Sequence, residues 1–363
     1  LGVVEIDPDA PTEYRFVHDL FREAAYDALT PGTRARWHDR IANSLERKHA
    51  EDLDAVIAEL AFHRHRALAL GDSEPCFAYA SRAAELAFHS RAYEQAVLHW
   101  KQALAALDQL DAGDPTRRLG SLLGLGEASR LAGDREGRRE YLGEAMVLAR
   151  KLSRHEDFAS AAIGLCDLAE WGVKDQVARA ALHEALDGIG DTESELEARI
   201  LTRIGYYDAI PNRAAAEQNL RRAVSIAREL GASDPLEEAL YTLHLMLGGP
   251  DDKAERLAIL EELRGTAAAA RDPVASVIAV LDVACDFLEV GDRKAAEQLR
   301  READLTAGTP AHPLTVWHRQ VYDTGWALME GRMDEVEGRA DAARRLGLRM
   351  QHPYAVACHV GQT

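Results

Sequence analysis

The amino-acid sequence predicts an all-α fold made of repeated helical hairpins, and three observations support this prediction. The chain has 363 residues, which is long for one compact domain, so either several domains or an extended repeat array is expected. Aromatic residues make up only 6% of it, and strong helix formers dominate segments such as "ASRAAELAF" and "NRAAAEQNLRRA". Helix-start signals also recur at intervals of about 40 residues.

These signals are dipeptides in which aspartate or histidine precedes proline. They are Asp114-Pro115, Asp234-Pro235, Asp272-Pro273, His312-Pro313 and His352-Pro353. An aspartate side chain accepts a free backbone N–H of the first turn, and proline at the first helical position loses no hydrogen bond there. The first two prolines are 120 residues apart, which equals three repeats, so further helix starts are expected near residues 155 and 195.

Each repeat contains a short turn between two amphipathic runs. The segments "LAGDREGRREYLGEA", "LEVGDRKAAEQLRREA" and "LMEGRMDEVEGRADAA" share a glycine, then charged residues, then small residues at helical spacing. This pattern is typical of an αα-hairpin. Because a single hairpin cannot bury its apolar face, neighbouring hairpins are expected to stack into a superhelix with a concave inner surface.

One repeat is similar to the tetratricopeptide (TPR) consensus. In "ASRAAELAFHSRAYEQAVLHWKQAL" the matching positions are Ala84, Ala87, Tyr93, Ala96, Trp100 and Ala103. Two later repeats keep part of the pattern, at Gly126, Gly133, Leu142 and Ala145 and at Ala284, Gly291, Ala296 and Ala303. The resemblance implies a TPR-like superhelix, or solenoid, over residues 51–363, with helices longer than usual.

The first 50 residues follow a different pattern. Apolar and polar residues alternate in "YRFVH", residues 14–18, which predicts a short strand. An amphipathic helix follows, which Asp19 is placed to cap, and Thr30-Pro31 is placed to start a second helix.

This order, with the triplet Val17-His18-Asp19, resembles the end of the winged-helix domain in STAND-class signalling ATPases, especially large LuxR-type transcription regulators. The resemblance covers residues 13–110 well and the remainder by architecture. It implies a winged-helix remnant with a connecting helix in residues 1–50 and a repeat sensor domain in 51–363, truncated at both ends. It also implies that His18 contacts the β-phosphate of ADP held by an upstream domain. The residues alone favour the other interpretation, in which His18 is a partly buried histidine satisfied by a local hydrogen bond, and only the resemblance makes the two interpretations equal.

No enzymatic site is expected in this chain. The sequence lacks a G-x-x-x-x-G-K-[ST] loop, so ATP or ADP would belong to the parent protein and no cofactor is expected here. No catalytic constellation can be assembled, and His63 and His65 point to different faces of a helix, so no metal site is predicted. The four cysteines, at positions 76, 166, 285 and 358, form no C-x-x-C pair, which favours a reducing cytoplasm.

The expected partners follow from charge and hydropathy. A formal net charge of −18 disfavours binding to nucleic acids. The longest apolar run, "VASVIAVLDVACDFLEV", is interrupted by Asp282 and Asp286, so no membrane span is predicted. The partners expected are a small-molecule inducer or a protein or peptide, with self-association possible in the parent.

The first helix of each hairpin lines the inner groove of a TPR array. When the glycine turns are used to decide which residues of these helices face inward, five residues are predicted to line the groove: Asp167, Glu170, Trp171, Asp208 and Tyr241. Carboxylates beside aromatic faces suit a cationic peptide or an amine-bearing ligand. The alternative is that the carboxylates lie on a helix face exposed to solvent and the aromatic residues only fill the space between hairpins.

The sequence thus predicts the sensor arm of a STAND ATPase transcription regulator. By this resemblance, an inducer or partner in the superhelix would shift the parent from an ADP-locked form to an ATP-bound oligomer. Two other functions stay open: a protein-interaction scaffold without a switch, and the TPR arm of an ATPase-linked adenylate cyclase or kinase.

Overall fold

The computed structural model describes residues 4–6, 14–110, 114–166, 176–209, 211–247, 252–270, 273–307, 312–350, 352 and 354–363. These residues form eighteen α-helices and one two-stranded sheet, which confirms the predicted all-α class. The chain divides into two compact units, Leu1–Asp157 (unit 1) and Phe158–Thr363 (unit 2).

Unit 1 begins with two antiparallel strands, β1 (Val4–Ile6) and β2 (Tyr14–Phe16), in which Val4 pairs with Phe16. The strand expected at "YRFVH" is therefore confirmed. The helices that follow are α1 (Asp19–Asp27), α2 (Pro31–Lys48), α3 (Ile57–Arg66), α4 (Ser73–His89), α5 (Tyr93–Leu107), α6 (Pro115–Leu131) and α7 (Arg135–Leu152). The boundary between the units falls within α8 (His155–Leu165).

Unit 2 continues the helical pattern. Its further helices are α9 (Gln176–Ile189), α10 (Glu195–Asp208), α11 (Arg213–Leu230), α12 (Ser233–Met246), α13 (Lys253–Ala270), α14 (Pro273–Glu289), α15 (Arg293–Thr306), α16 (Pro313–Met329), α17 (Met333–Arg349) and α18 (Ala355–Gln362). Consecutive helices pack as hairpins, most extensively α4 with α5, α6 with α7, α10 with α11, α14 with α15 and α16 with α17.

Most of the predicted helix starts are confirmed. Asp114 caps α6, since its Oδ1 accepts hydrogen bonds from the N–H groups of Thr116 and Arg117 at 2.9 and 3.1 Å. The two starts expected near residues 155 and 195 are the first residues of α8 and α10, and Ser194 caps α10. His312 caps α16 through Nδ1.

Three starts differ from the prediction. Helix α18 begins at Ala355, after the predicted start at His352-Pro353. Helix α12 begins at Ser233, two residues before Pro235, which is tolerated because the first N–H groups of a helix have no intrahelical acceptor. His18 caps α1 in place of Asp19, with Nδ1 accepting from the Leu20 N–H at 3.2 Å. Asp19 is instead the first helical residue, where a negative charge is favourable.

Small residues determine how closely the hairpin helices approach. The TPR-matched residues Ala84, Ala96 and Ala103 are fully buried. A Cβ on Gly126 of α6 would collide with Leu142 of α7, so glycine is required for this pair to pack. In unit 2 the apolar core runs from Ala198 of α10 to Trp326 of α16.

The turns inside four described hairpins share one conformation. A residue with positive φ ends the first helix, and the next N–H donates to a carbonyl of that helix, as in a Schellman turn. The positive-φ residues are Arg91 (61°), Gly133 (79°), Gly291 (82°) and Gly331 (73°). Arg91 thus occupies a position that suits glycine.

We expect the substitution Arg91→Gly to raise the free energy of unfolding of unit 1 by roughly 0.5–1 kcal/mol, because an L side chain is strained in the left-handed region. Urea unfolding followed by circular dichroism measures the change. Arg91→Ala retains a Cβ and is expected to give no gain; equal stabilisation by both variants would contradict backbone strain as the cause.

Candidate ligand-binding face

The first helices of successive hairpins lie side by side in unit 2. Helix α10 packs on α12, α14 on α16, and α16 on α18. Tyr206 belongs to α10, and Tyr354 precedes α18. Their hydroxyl oxygens lie 3.5 Å apart, although the two residues are 148 positions apart in the sequence. This set of helices, α10, α12, α14, α16 and α18, is called the inner layer below. The first helix of the inner layer therefore approaches the residue that precedes its last helix.

Asp282 lies on α14, in the middle of the inner layer. The Tyr241 hydroxyl of α12 forms a hydrogen bond with its carboxyl group. Asp282 Oδ2 is enclosed by protein atoms and has no hydrogen-bond partner among the described residues. Burial raises the pKa of Asp282 to about 7, with the hydrogen bond from Tyr241 opposing the increase and the charge of Asp286 adding to it.

Cys285 lies one turn of α14 from Asp282 and is exposed. Burial nevertheless raises the pKa of its thiol to about 12, with Asp282 and Asp286 contributing. The Asp282 carboxyl therefore lies one helical turn from a side chain that solvent reaches.

Tyr322 of α16 lies near Cys285. Its ring is buried, with 7% of the residue exposed, and its hydroxyl has no hydrogen-bond partner among the described residues. Burial raises the pKa of the Tyr322 hydroxyl, and the proximity of Cys285 contributes. We call Tyr241, Asp282, Cys285 and Tyr322 the Asp282 site.

The neighbouring Asp286 differs from Asp282 because its charge is compensated. Arg256 of α13 donates two hydrogen bonds to Asp286, one of them at 3.2 Å, and His244 Nδ1 lies 3.8 Å from its Oδ2. No Arg, Lys or His side chain described in the structure pairs with Asp282 in this way. The uncompensated acid of α14 is thus Asp282.

The structure places two of the five predicted groove residues. Tyr241 is part of the Asp282 site. Asp208 is buried at the end of α10 and faces α9, where Arg179 Nε donates to it at 2.7 Å and His183 Nε2 lies at 3.9 Å. No described contact joins Asp208 to Tyr241. The other three, Asp167, Glu170 and Trp171, lie outside the described residues.

His18 is exposed at the start of α1. Since its Nδ1 accepts a backbone hydrogen bond, the neutral ring carries its proton on Nε2. This N–H is free of the helix cap and accessible to a ligand or a neighbouring domain.

His63, the first histidine of "HRHR", contacts His38 of α2. His63 Nδ1 lies 2.8 Å from His38 Nδ1, and His38 Nε2 lies 2.9 Å from the Tyr26 hydroxyl. Burial lowers the pKa of both His38 and His63. Within the described residues no group of three or more His, Cys, Asp or Glu side chains could hold a metal ion.

Unit 1 contains an open groove of about 390 Å³ between α3 and α5. Its lining residues are Phe62, His65, Arg66, Leu98, Lys101 and Gln102. Arg66 lies over the Phe62 ring and Lys101 over the Tyr141 ring, at 5.4 and 5.7 Å. Among described side chains neither cation pairs with a carboxylate, so this groove is both apolar and positively charged.

Comparison with known proteins identifies the fold. No protein-family model matches the sequence. No curated protein matches it either. A solved Rap protein complexed with Competence and Sporulation Factor aligns with a TM-score of 0.52 and 12% identity, covering 92% of this chain and 96% of that one. The fold is a TPR-like helical repeat.

A second solved structure is a STAND protein (Signal Transduction ATPase with Numerous Domains) with a tetratricopeptide repeat sensor, from Pyrococcus horikoshii. It aligns with a TM-score of 0.49 and 14% identity, over 99% of this chain. The chain spans 56% of that protein. In the described residues of the TPR-like chain, no helix is both long enough and apolar enough to cross a bilayer.

Proposed function

We propose that this chain is the binding arm of a regulatory protein, with the inner layer of unit 2 as its ligand surface. The Asp282 site carries the proposal. Asp282 Oδ2 and the Tyr322 hydroxyl are enclosed polar atoms without hydrogen-bond partners among the described residues, and such atoms are costly unless water or a ligand satisfies them. Exposed Cys285 lies near both residues, so a ligand can reach the inner layer at this point.

The parent that we propose is a cytoplasmic STAND ATPase acting as a LuxR-like transcription regulator. The β2–α1–α2 order and the exposed His18 support a winged-helix end in residues 1–50 that meets a nucleotide-binding domain. In this proposal the chain itself is not an enzyme and holds no cofactor, and ATP or ADP binds elsewhere in the parent. An adenylate cyclase or kinase parent would use the same arm.

The test is to titrate the chain with metabolite and peptide libraries while its melting temperature is followed. A ligand that binds the native state must stabilise it. We expect a binder that raises Tm and slows amide hydrogen exchange in α12, α14 and α16. Binders that protect only the second helices of the hairpins, or libraries without any binder, would contradict the proposed surface.

A second candidate function is a protein-interaction scaffold, and the groove between α3 and α5 favours it. Exposed Phe62 and Leu98 lie there beside Arg66 and Lys101, which suits an acidic amphipathic segment of a partner protein. In the same titration, an acidic peptide that protects α3 and α5 and leaves the inner layer unchanged would support this function.

A further inference from the structure

We propose that the groove between α3 and α5 of unit 1 binds a segment of a partner protein in which acidic residues flank one large apolar residue. This inference rests on the second candidate function, the interaction scaffold, and assigns to it the chemistry of the partner. One cavity of about 390 Å³ joins the lining side chains, and four of them, Phe62, Arg66, Leu98 and Lys101, are exposed. A bound segment can therefore contact all four.

The apolar surface of the groove comes from Phe62 of α3 and Leu98 of α5, which are 41% and 48% exposed. The Phe62 ring is held by edge-on contacts with the rings of His38 and His63, at 5.7 and 5.2 Å between centroids. This wall is therefore formed before a partner arrives, which lowers the entropic cost of binding. A large apolar side chain inserted between Phe62 and Leu98 would be stabilised by burial.

The positive charge of the groove comes from Arg66 and Lys101. Arg66 Cζ lies 5.4 Å from the centre of the Phe62 ring, and Lys101 Nζ lies 5.7 Å from that of Tyr141 in α7. Neither cation pairs with a carboxylate described in the structure, although the chain has 61 acidic residues against 43 Lys and Arg. Burial lowers the pKa of His65, the remaining basic side chain of the lining, so it is neutral at pH 7. The two exposed cations are thus available to acids of a partner.

Both helices present these side chains in the same order. On α3 the cation Arg66 follows Phe62 by four residues, and on α5 Lys101 follows Leu98 by three. Positions three and four apart lie on one face of a helix, so each wall offers an apolar contact with a cation about one turn away. A segment that reaches both walls therefore needs one central apolar side chain and a carboxylate on either side of it. A basic segment would meet like charge.

The binding experiment adds a fluorescein-labelled peptide to the full chain. In this probe, glutamates flank a single leucine in an alanine background. We expect its fluorescence anisotropy to rise on binding, with slower amide hydrogen exchange in α3 and α5. Affinity should fall as sodium chloride is added, because salt screens exposed charges. Peptides with glutamine in place of glutamate, or with serine in place of leucine, should bind more weakly.

The variant Lys101→Glu tests the charge of the groove, and Lys48→Glu in α2 is its matched control. Both lysines are exposed and unpaired among the described side chains, but Lys48 does not line the groove. We expect Lys101→Glu to weaken binding about five- to tenfold, since repulsion replaces an attractive pair, and Lys48→Glu to bind nearly as the wild type does. Of two peptides with lysine in place of one glutamate, one should bind Lys101→Glu better than the original probe does, which a misfolded variant could not show.

Two results would overturn the acidic assignment: equal weakening by the two lysine variants, or equal affinity of the glutamate and glutamine peptides. If a peptide of another composition still protects α3 and α5, the scaffold function stands and only the assigned chemistry fails. If no peptide protects these helices, that function fails as well. The inner layer is followed separately, through exchange in α12, α14 and α16.

Two other occupants are tested with the same readouts. Octanoate has a carboxylate and an alkyl chain but no peptide backbone, and displacement of the probe by octanoate at equal concentration would identify a site for a small organic acid. A dimer of the chain alone, with α3 and α5 protected, would identify a second copy as the occupant. Either result would contradict the assignment of a partner segment.

Discussion

Replacing Arg64 with methionine is expected to lower the free energy of unfolding of unit 1 by about 3–5 kcal/mol, the usual cost of breaking a buried ion pair. Only 5% of the Arg64 side chain is exposed. Its guanidinium donates to Asp39 at 2.8 Å, Glu46 at 3.1 Å, Asp72 at 3.2 Å and Asn43 at 2.9 Å. Methionine fills a similar volume but leaves three carboxylates facing one another without a cation.

Urea unfolding of the full chain measures this change, with hydrogen exchange in α2, α3 and α4 assigning the loss to unit 1. Arg82→Met is the matched control, since Arg82 pairs with Asp54 at 2.7 Å while both side chains are about half exposed. Exposed pairs contribute little, so the control should unfold almost as the wild type does. Equal losses in the two variants would show that burial of Arg64 is not the cause.

The second large effect is expected for Gly205→Ala in unit 2. A Cβ on Gly205 of α10 would lie 2.6 Å from Leu220 Cγ and 3.1 Å from the Ala216 carbonyl oxygen of α11. Leu220 is fully buried and the second contact is with backbone, so neither can move away cheaply. We expect a loss of about 1–3 kcal/mol, as for other overpacked cores.

Gly338→Ala in α17 is the control for this substitution. Nothing lies within 4 Å of a Cβ built there, so only the higher helix propensity of alanine acts and stability should rise slightly. Melting temperatures of the two variants separate the effects. A stabilised Gly205→Ala variant would mean that α10 and α11 are further apart than described.

The repeat architecture was predictable because local chemistry determines where each helix starts. Asp114 and His312 cap α6 and α16 through their own side chains, and these bonds depend on residues next to each other in sequence. The spacing of such signals also indicated the starts of α8 and α10. The start of α12 was less accurate, since a proline is tolerated at several positions of a first turn.

The candidate site was less predictable, because it depends on which neighbouring helix each side chain meets. Asp208 and Tyr241 share one predicted face, yet Asp208 pairs with Arg179 of α9 while Tyr241 reaches Asp282 of α14. Asp282 itself stands inside an apolar run of the sequence, which by itself indicates only that this run cannot span a membrane. An acid in an otherwise apolar helix is expensive to bury, and that cost is the sequence signal that marks Asp282 as a candidate.

The approach of Tyr206 to Tyr354 also bears on the order in which unit 2 folds. Hairpins such as α14 and α15 bring together residues close in sequence, so they can form early and independently. The tyrosine pair joins residues 148 positions apart and cannot form until the helices between them have docked. Fluorescence or exchange probes at this pair would therefore report the last step of refolding, after helix content has already returned.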